Sequence, residues 1–225
     1  YGVHITGSTT GANGLDATES GNPSLFVFDN TNVNWDPILN TGAGTSLNAG
    51  DAYRLFVRGN RGINVTSNSA TPTPATIRTT GTVQTGNFNS GNLIANQPYF
   101  IGNPYQASVD LSSLSLGNIR YAFIWDASIN TRGAYVTVDI DNNTNAIKDP
   151  NFTGTGTSDA NKYLQPNQAI FLDVPSSPTI PNFDFTESAK AVNQSLTTVF
   201  SDNTNSDSMI SIRLLSENDQ GETNL

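Results

Sequence analysis

"FIGNPYQASVDLSSLSLGNIRYAFIWD", residues 100–126, is the stretch that decides the fold. Both of its ends are strongly apolar, and a Gly-Asn-Pro-Tyr turn follows the first. In the second, Tyr121, Phe123 and Trp125 alternate with Ala122 and Ile124. A period of two places those sets on opposite faces of a β-strand. At the first end, Gly102 relaxes the backbone while Pro104 fixes φ and withholds a donor, so the chain leaves a sheet after Phe100 and Ile101. The stretch predicts strand, corner, strand. Its Gly-Asn-Pro-Tyr turn reads as the corner of a sandwich, not as a catalytic loop.

The same patterning extends outward in both directions. Strands are predicted at "SLFVFD" (24–29), "AYRLFVRG" (52–59), "ATIRT" (75–79), "GTVQT" (81–85), "PYFIG" (98–102) and "RYAFIWD" (120–126). They continue at "AYVTVDI" (134–140), "AIFLDV" (169–174), "TTVF" (197–200) and "SMISIRLL" (208–215). "AIFLDV" is apolar on both sides until Asp173, as a central strand should be. "TPTPA" (71–75) cannot sit in a central ladder and reads as an extended loop. The only helical signal is "TESAKAVNQS" (186–195), with Thr186 as its N-cap. About ten strands, Gly/Asn/Ser/Thr-rich turns and little helix predict an all-β fold, an antiparallel β-sandwich of jelly-roll type. One domain over 1–225 is expected. It reads as a fragment lacking outer strands at both ends, because "IRLL" leads into a turn with no return strand and Tyr1 follows no initiator Met.

Composition excludes several functions. The formal net charge is −9, with 10 basic against 19 acidic residues, so phosphate binding and nucleic acid are not expected. The same charge disfavours an anionic membrane surface, and no apolar run is long enough to insert. Without cysteine there is no disulfide, thiolate metal site or thiol nucleophile. Richness in Asn and Thr with little Lys or Glu favours a secreted or cell-surface protein.

Candidate chemistry is thin. His4 is the only histidine, so any Ser-His-Asp arrangement would need it, yet Val3 and Ile5 flank it as in a strand. Nothing marks Glu19, Glu187, Glu217 or Glu222 as a buried catalytic acid. The chain is therefore read as not an enzyme. In "DIDNNTNAIKD", Asp139, Asp141, Asn143 and Asn145 offer oxygens at alternate positions, as at the start of an EF-hand loop. Thr144 then stands where such a loop needs Gly, and no Glu closes it, so a polar hairpin turn competes with calcium as the reading. Exposed aromatics could stack on sugars, and Trp35, Tyr105 and Trp125 are the candidate ligand-binding residues, with Tyr99 beside them. "DSM" (207–209) matches a short O-glycosylation pattern and makes Ser208 a candidate glycosylation site.

One series of motifs carries a resemblance over nearly the whole chain. "HITGSTTGANGLDATESGNPSLFVFDN", "AYRLFVRGNRGIN", "TPATIRTTGTVQTGN", "FIGNPYQASVDL", "FIWDASI", "GAYVTVD", "LQPNQAIFLDV" and "DFTESAK" occur in that order. The series resembles the large β domain of Bacteroidota (flavobacterial) surface and secreted proteins that precedes a type IX secretion system C-terminal sorting domain. The resemblance implies export by the type IX secretion machinery and an extracellular or outer cell-surface location. It implies no catalytic residues. Relatives carry a further strand before "HITGS" and run on past "IRLL" to the sorting domain, and Asn167 stands where they have Gly. The expected function is a non-catalytic structural or adhesive module. Two alternatives stay open: a carbohydrate-binding module with surface polysaccharide as partner and calcium as its cofactor, and a subunit that exchanges strands with its neighbours.

Overall fold

The computed structural model describes residues 2–127 apart from 68, 72, 78 and 79, together with 129, 133–147, 158–195 and 197. The strand expected at 208–215 and Ser208 lie outside these residues, as does the one expected at 197–200 apart from Thr197. The described chain is all-β. Its strands, in order, are β1 (Thr6–Ser8), β2 (Asp16–Ala17), β3 (Leu25–Asp29), β4 (Asn34–Pro37), β5 (Tyr53–Leu55), β6 (Phe88–Asn89) and β7 (Pro98–Gly102). They continue with β8 (Val109–Asp110), β9 (Tyr121–Asp126), β10 (Ala134–Asp139), β11 (Thr144–Ile147), β12 (Tyr163–Leu164), β13 (Ala169–Asp173) and β14 (Asp184–Phe185).

The largest sheet has the order β11-β10-β9-β13-β7, with every pairing antiparallel. Its inner face carries Ile101, Ala122, Ile124, Val136, Val138, Ile170 and Leu172, none more than 2 % exposed. β13 lies between β9 and β7 and is covered on its outer side by Phe28, Trp35 and Phe100, which accounts for its apolar residues on both faces. What covers the inner face is mostly irregular chain. Tyr105, Val109, Leu111, Leu114, Leu116 and Ile119, from the segment after the corner, are all buried against it, joined by Leu164, Phe183 and Phe185. The Asp110 carboxylate accepts from the Ser112 N–H and so caps the 3₁₀ turn Leu111–Ser113. Each leucine buried there contributes about 1.5–3 kcal/mol.

A three-stranded sheet, β4-β3-β5, packs on the outer face of the large sheet. Phe28 meets Phe100 and Phe171, and Trp35 meets Phe100, in edge-to-face contacts at 5.1–5.5 Å. Phe100 and Phe171 themselves stack, with centroids 4.0 Å apart. A smaller core of Val3, Ile5, Leu15 and Leu25 lies beneath the chain start. The free edge of β7 is closed by side chain and loop: Asn30 exchanges two hydrogen bonds with the Phe100 backbone, and the Gly102 N–H donates to Gly50 O.

Three expectations are corrected. Residues 75–77 and 81–85 form no strand; Ile77 and Val83 are 58 % and 44 % exposed, so their alternation has no surface to bury. The helix expected at 186–195 is a single 3₁₀ turn, Glu187–Ala189, and Thr186 makes no side-chain cap. Gly102 does not have positive φ; it is needed because a Cβ there would lie 2.8 Å from Asp51 O.

Candidate functional site

Tyr105 is corrected first. It is 1 % exposed, and its hydroxyl lies 2.8 Å from the carbonyl oxygens of both Gly86 and Phe185. Burial, with the charges of Glu187 and Asp184, raises its phenol above the ordinary value. The Lys190 ammonium lies 4.2 Å from its ring centroid. Such a ring anchors the corner to β14 and cannot stack on a sugar. Tyr99 is likewise buried and donates to Ser90 O.

Trp35 and Trp125 occupy two ends of one aromatic chain across the outer face. Trp125 meets Tyr135 at 5.0 Å, Tyr135 meets Phe171 at 5.6 Å, and Phe171 stacks on Phe100, which Trp35 meets at 5.1 Å. Trp35 is half-buried in the packing between sheets, and the Arg54 guanidinium lies 4.6 Å from its ring centroid. Trp125 lies beyond that packing and is 39 % exposed, with Tyr121 at 38 % and Tyr135 at 36 %. Gly133 (φ +79°) lies under the indole, where a Cβ would come within 2.7 Å of the ring. Tyr121 and Tyr135 were not among the binding candidates expected from sequence, although the alternation of "RYAFIWD" placed Tyr121 on the face of Trp125, and Tyr135 alternates with buried Ala134 and Val136.

Of the four oxygen donors expected for calcium, Asp139 and Asn143 are engaged in the β10–β11 hairpin and its neighbours, and Asn145 is held there by its amide nitrogen. The Asp139 carboxylate takes the Arg120 guanidinium at 2.6 Å and accepts from Asn142. These bonds, that from Arg120 largest, hold its carboxyl well below the usual range. Asn143, at φ 50°, accepts from the Lys162 N–H, and the Asn145 amide donates to Ser158 O and Ala160 O. Asp141 sits in the same turn, near enough to Arg120 to favour its charge. Among the described residues no three His, Asp or Glu side chains gather as a metal site. The β3–β4 hairpin has the same construction. Asp29 accepts from the Thr31 and Asn32 N–H groups and from the Asn32 amide, and Val33 has positive φ.

His4 joins a clasp. Its Nε2 lies 2.9 Å from Arg61 O and its Nδ1 3.2 Å from Asp16 Oδ2. Asp16 also receives both guanidinium nitrogens of Arg61 and the Ile5 N–H. Burial works against Asp16, but the Arg61, Ile5 and His4 bonds outweigh it and hold the carboxyl low. A pocket of about 270 Å³ lies beside His4, lined in part by Glu19, Asn22, Phe56 and Arg58. It falls below the ~300–1,000 Å³ usual for ligand pockets. The arrangement ties the chain start and the turn at Arg61 to β2.

Comparison with protein-family models, with curated proteins and with solved structures finds no match for this chain.

Proposed function

We propose that this chain is a non-catalytic module, a β-sandwich of jelly-roll type, of a secreted or cell-surface protein that spaces, displays or adheres. One observation carries the reading: its paired ionisable groups serve the fold. Asp29 and Asp139 build hairpins, Asp16 clasps His4 and Arg61, Asp110 pairs with Lys162, and Glu187 pairs with Lys190. Catalytic sites instead gather groups whose pKa values are pushed toward their task inside a cleft. Export by the type IX secretion machinery, and the outer surface as destination, rest on the resemblance of the motif series alone.

The test is made on the native protein in the cells that produce it. Surface proteolysis, with peptide mapping outward from Tyr1 and Leu225, is expected to find the chain outside the cell beside a sorting domain or its cleavage scar. Recovery from the cytoplasm, with no such segment, would overturn the reading. Carbohydrate binding is the alternative that a specific observation favours, namely the exposed rings of Trp125 and Tyr135. Strand exchange gains nothing at β7, whose edge is already occupied.

A further inference from the structure

We propose that the open half of the outer sheet face, formed by Tyr121, Trp125 and Tyr135, is a binding platform for a neutral saccharide chain. The three-stranded sheet covers only the β7–β13 side of this face, where Phe100 and Phe171 lie under Phe28 and Trp35. Over β9 and β10 the rings of Tyr121, Trp125 and Tyr135 are 36–39 % exposed, with Phe123 and Thr137 half-buried among them.

The rings in the covered half are Phe28, Phe100 and Phe171, with Trp35 at its margin; over β9 and β10 the exposed rings are Tyr121, Trp125 and Tyr135, with Phe123 half-buried between the first two. Each exposed ring offers an apolar surface with a polar atom, the combination suited to a ligand that is greasy on one side and hydroxylated on the other. Pyranose rings have that character, with axial C–H groups on one face and hydroxyls at the rim.

Position and rigidity fit the role. Tyr135 and Trp125 are paired across β10 and β9, and Tyr121 pairs with Asp139 at the other end of the same two strands. Neighbouring strands lie about 4.8 Å apart and alternate residues along a strand about 6.8 Å apart, so the rings span more than one sugar unit. Tyr135 and Gly133 fix the indole from two sides. Arg120 lies 5.4 Å from the Tyr121 ring centroid and pairs with Asp139, leaving donors and acceptors at the rim with no net charge between them. The chain's charge of −9 repels polyanions, and this is why a neutral saccharide is proposed.

The test uses the full chain in affinity electrophoresis and tryptophan fluorescence against amylose, xylan, mannan, chitin, β-1,3-glucan and cellulose, with alginate and heparin as anionic probes. At least one neutral polymer is expected to retard the protein and shift its fluorescence, unchanged by chelator. Trp125→Ala and Tyr135→Ala are each expected to weaken that binding about two- to tenfold, as loss of one aromatic stacking contact does. Phe56→Ala, an exposed ring elsewhere, should leave it intact. Thermal melts separate unfolding from lost contact, and Tyr121→Ala supplies a further variant if Trp125→Ala melts early. Binding to no neutral polymer, binding indifferent to the platform variants, preference for the anionic probes, or self-association abolished by Trp125→Ala would each overturn the proposal. None of these results bears on the surface-module reading, which is decided by where the protein is found.

Discussion

Asn103 shows at the scale of one residue why the Gly-Asn-Pro-Tyr turn is structural. Its side-chain amide donates to Ala107 O and Leu164 O, and its oxygen accepts from the Tyr105 N–H, so one side chain holds three backbone groups. Replacement by Ala leaves those buried groups unpaired, and a loss of about 1–3 kcal/mol is expected in denaturant unfolding. Gly102→Ala sets a methyl 2.8 Å from Asp51 O, a backbone atom that cannot turn aside. A loss of about 1–3 kcal/mol is expected from such overpacking. If Asn103→Ala and Gly102→Ala both unfold at the wild-type midpoint, the turn is not an anchor. The corner was legible in sequence from Pro104, but the role of Gly102 was not. Its φ is ordinary, and only the approach of Asp51, some 50 residues earlier in the chain, makes a side chain impossible.

Elements were legible wherever a strand buries one face. β7, β9, β10 and β13 fall where alternation or continuous apolarity placed them, because each lines the main core. The short strands β1, β2, β6, β8, β12 and β14 have two or three residues each, too few for any period to show. The segment 111–119 was assigned no element from sequence, since serines separate its leucines, yet it roofs the core. Its irregular spacing follows a 3₁₀ turn and extended chain, so no single periodicity exists to be read. Of the candidate binding residues, Trp125 was readable as a rim position and Tyr105 was not readable as core, because its burial depends on β14, some 80 residues later. The β7 edge gives a prediction at this scale. Asn30 mimics a neighbouring strand by both giving to and taking from the Phe100 backbone, at 2.8 and 2.7 Å. Asn30→Ala reopens that edge, an invitation to intermolecular pairing. Stability is expected to fall by about 1–2 kcal/mol, and light scattering should show concentration-dependent association absent from the parent chain. A variant that stays monomeric and fully stable would mean that Gly50 alone suffices.

Over the whole molecule, the same groups that shape the fold set its response to pH. Burial resists ionisation of Asp16 and Asp110, but Arg61, Ile5 and His4 for the first, and Ser112 and Lys162 for the second, lower both below the ordinary 3.8. A carboxyl whose folded value lies below its unfolded one favours folding above the unfolded value, and that contribution disappears as pH falls through the folded value. On the alkaline side, burial first and Asp51 second raise Tyr53 to about 12. The folded state holds that proton more tightly, so its contribution is complete below the ordinary 10.0 and is lost as pH rises toward about 12. The denaturant midpoint should therefore fall on the acid side below about pH 4 and on the alkaline side above about pH 10. Asp16→Asn should shift the acid limb without touching the alkaline one, and Tyr53→Phe the reverse. Tyrosinate absorbance gives an independent check, since burial also raises Tyr99 and Tyr105 and should delay their titration until the chain unfolds. Stability that rose on acidification, or tyrosines that all titrated together near the ordinary value, would mean that the clasp at Asp16 and the buried phenols do not hold the molecule as their geometry requires.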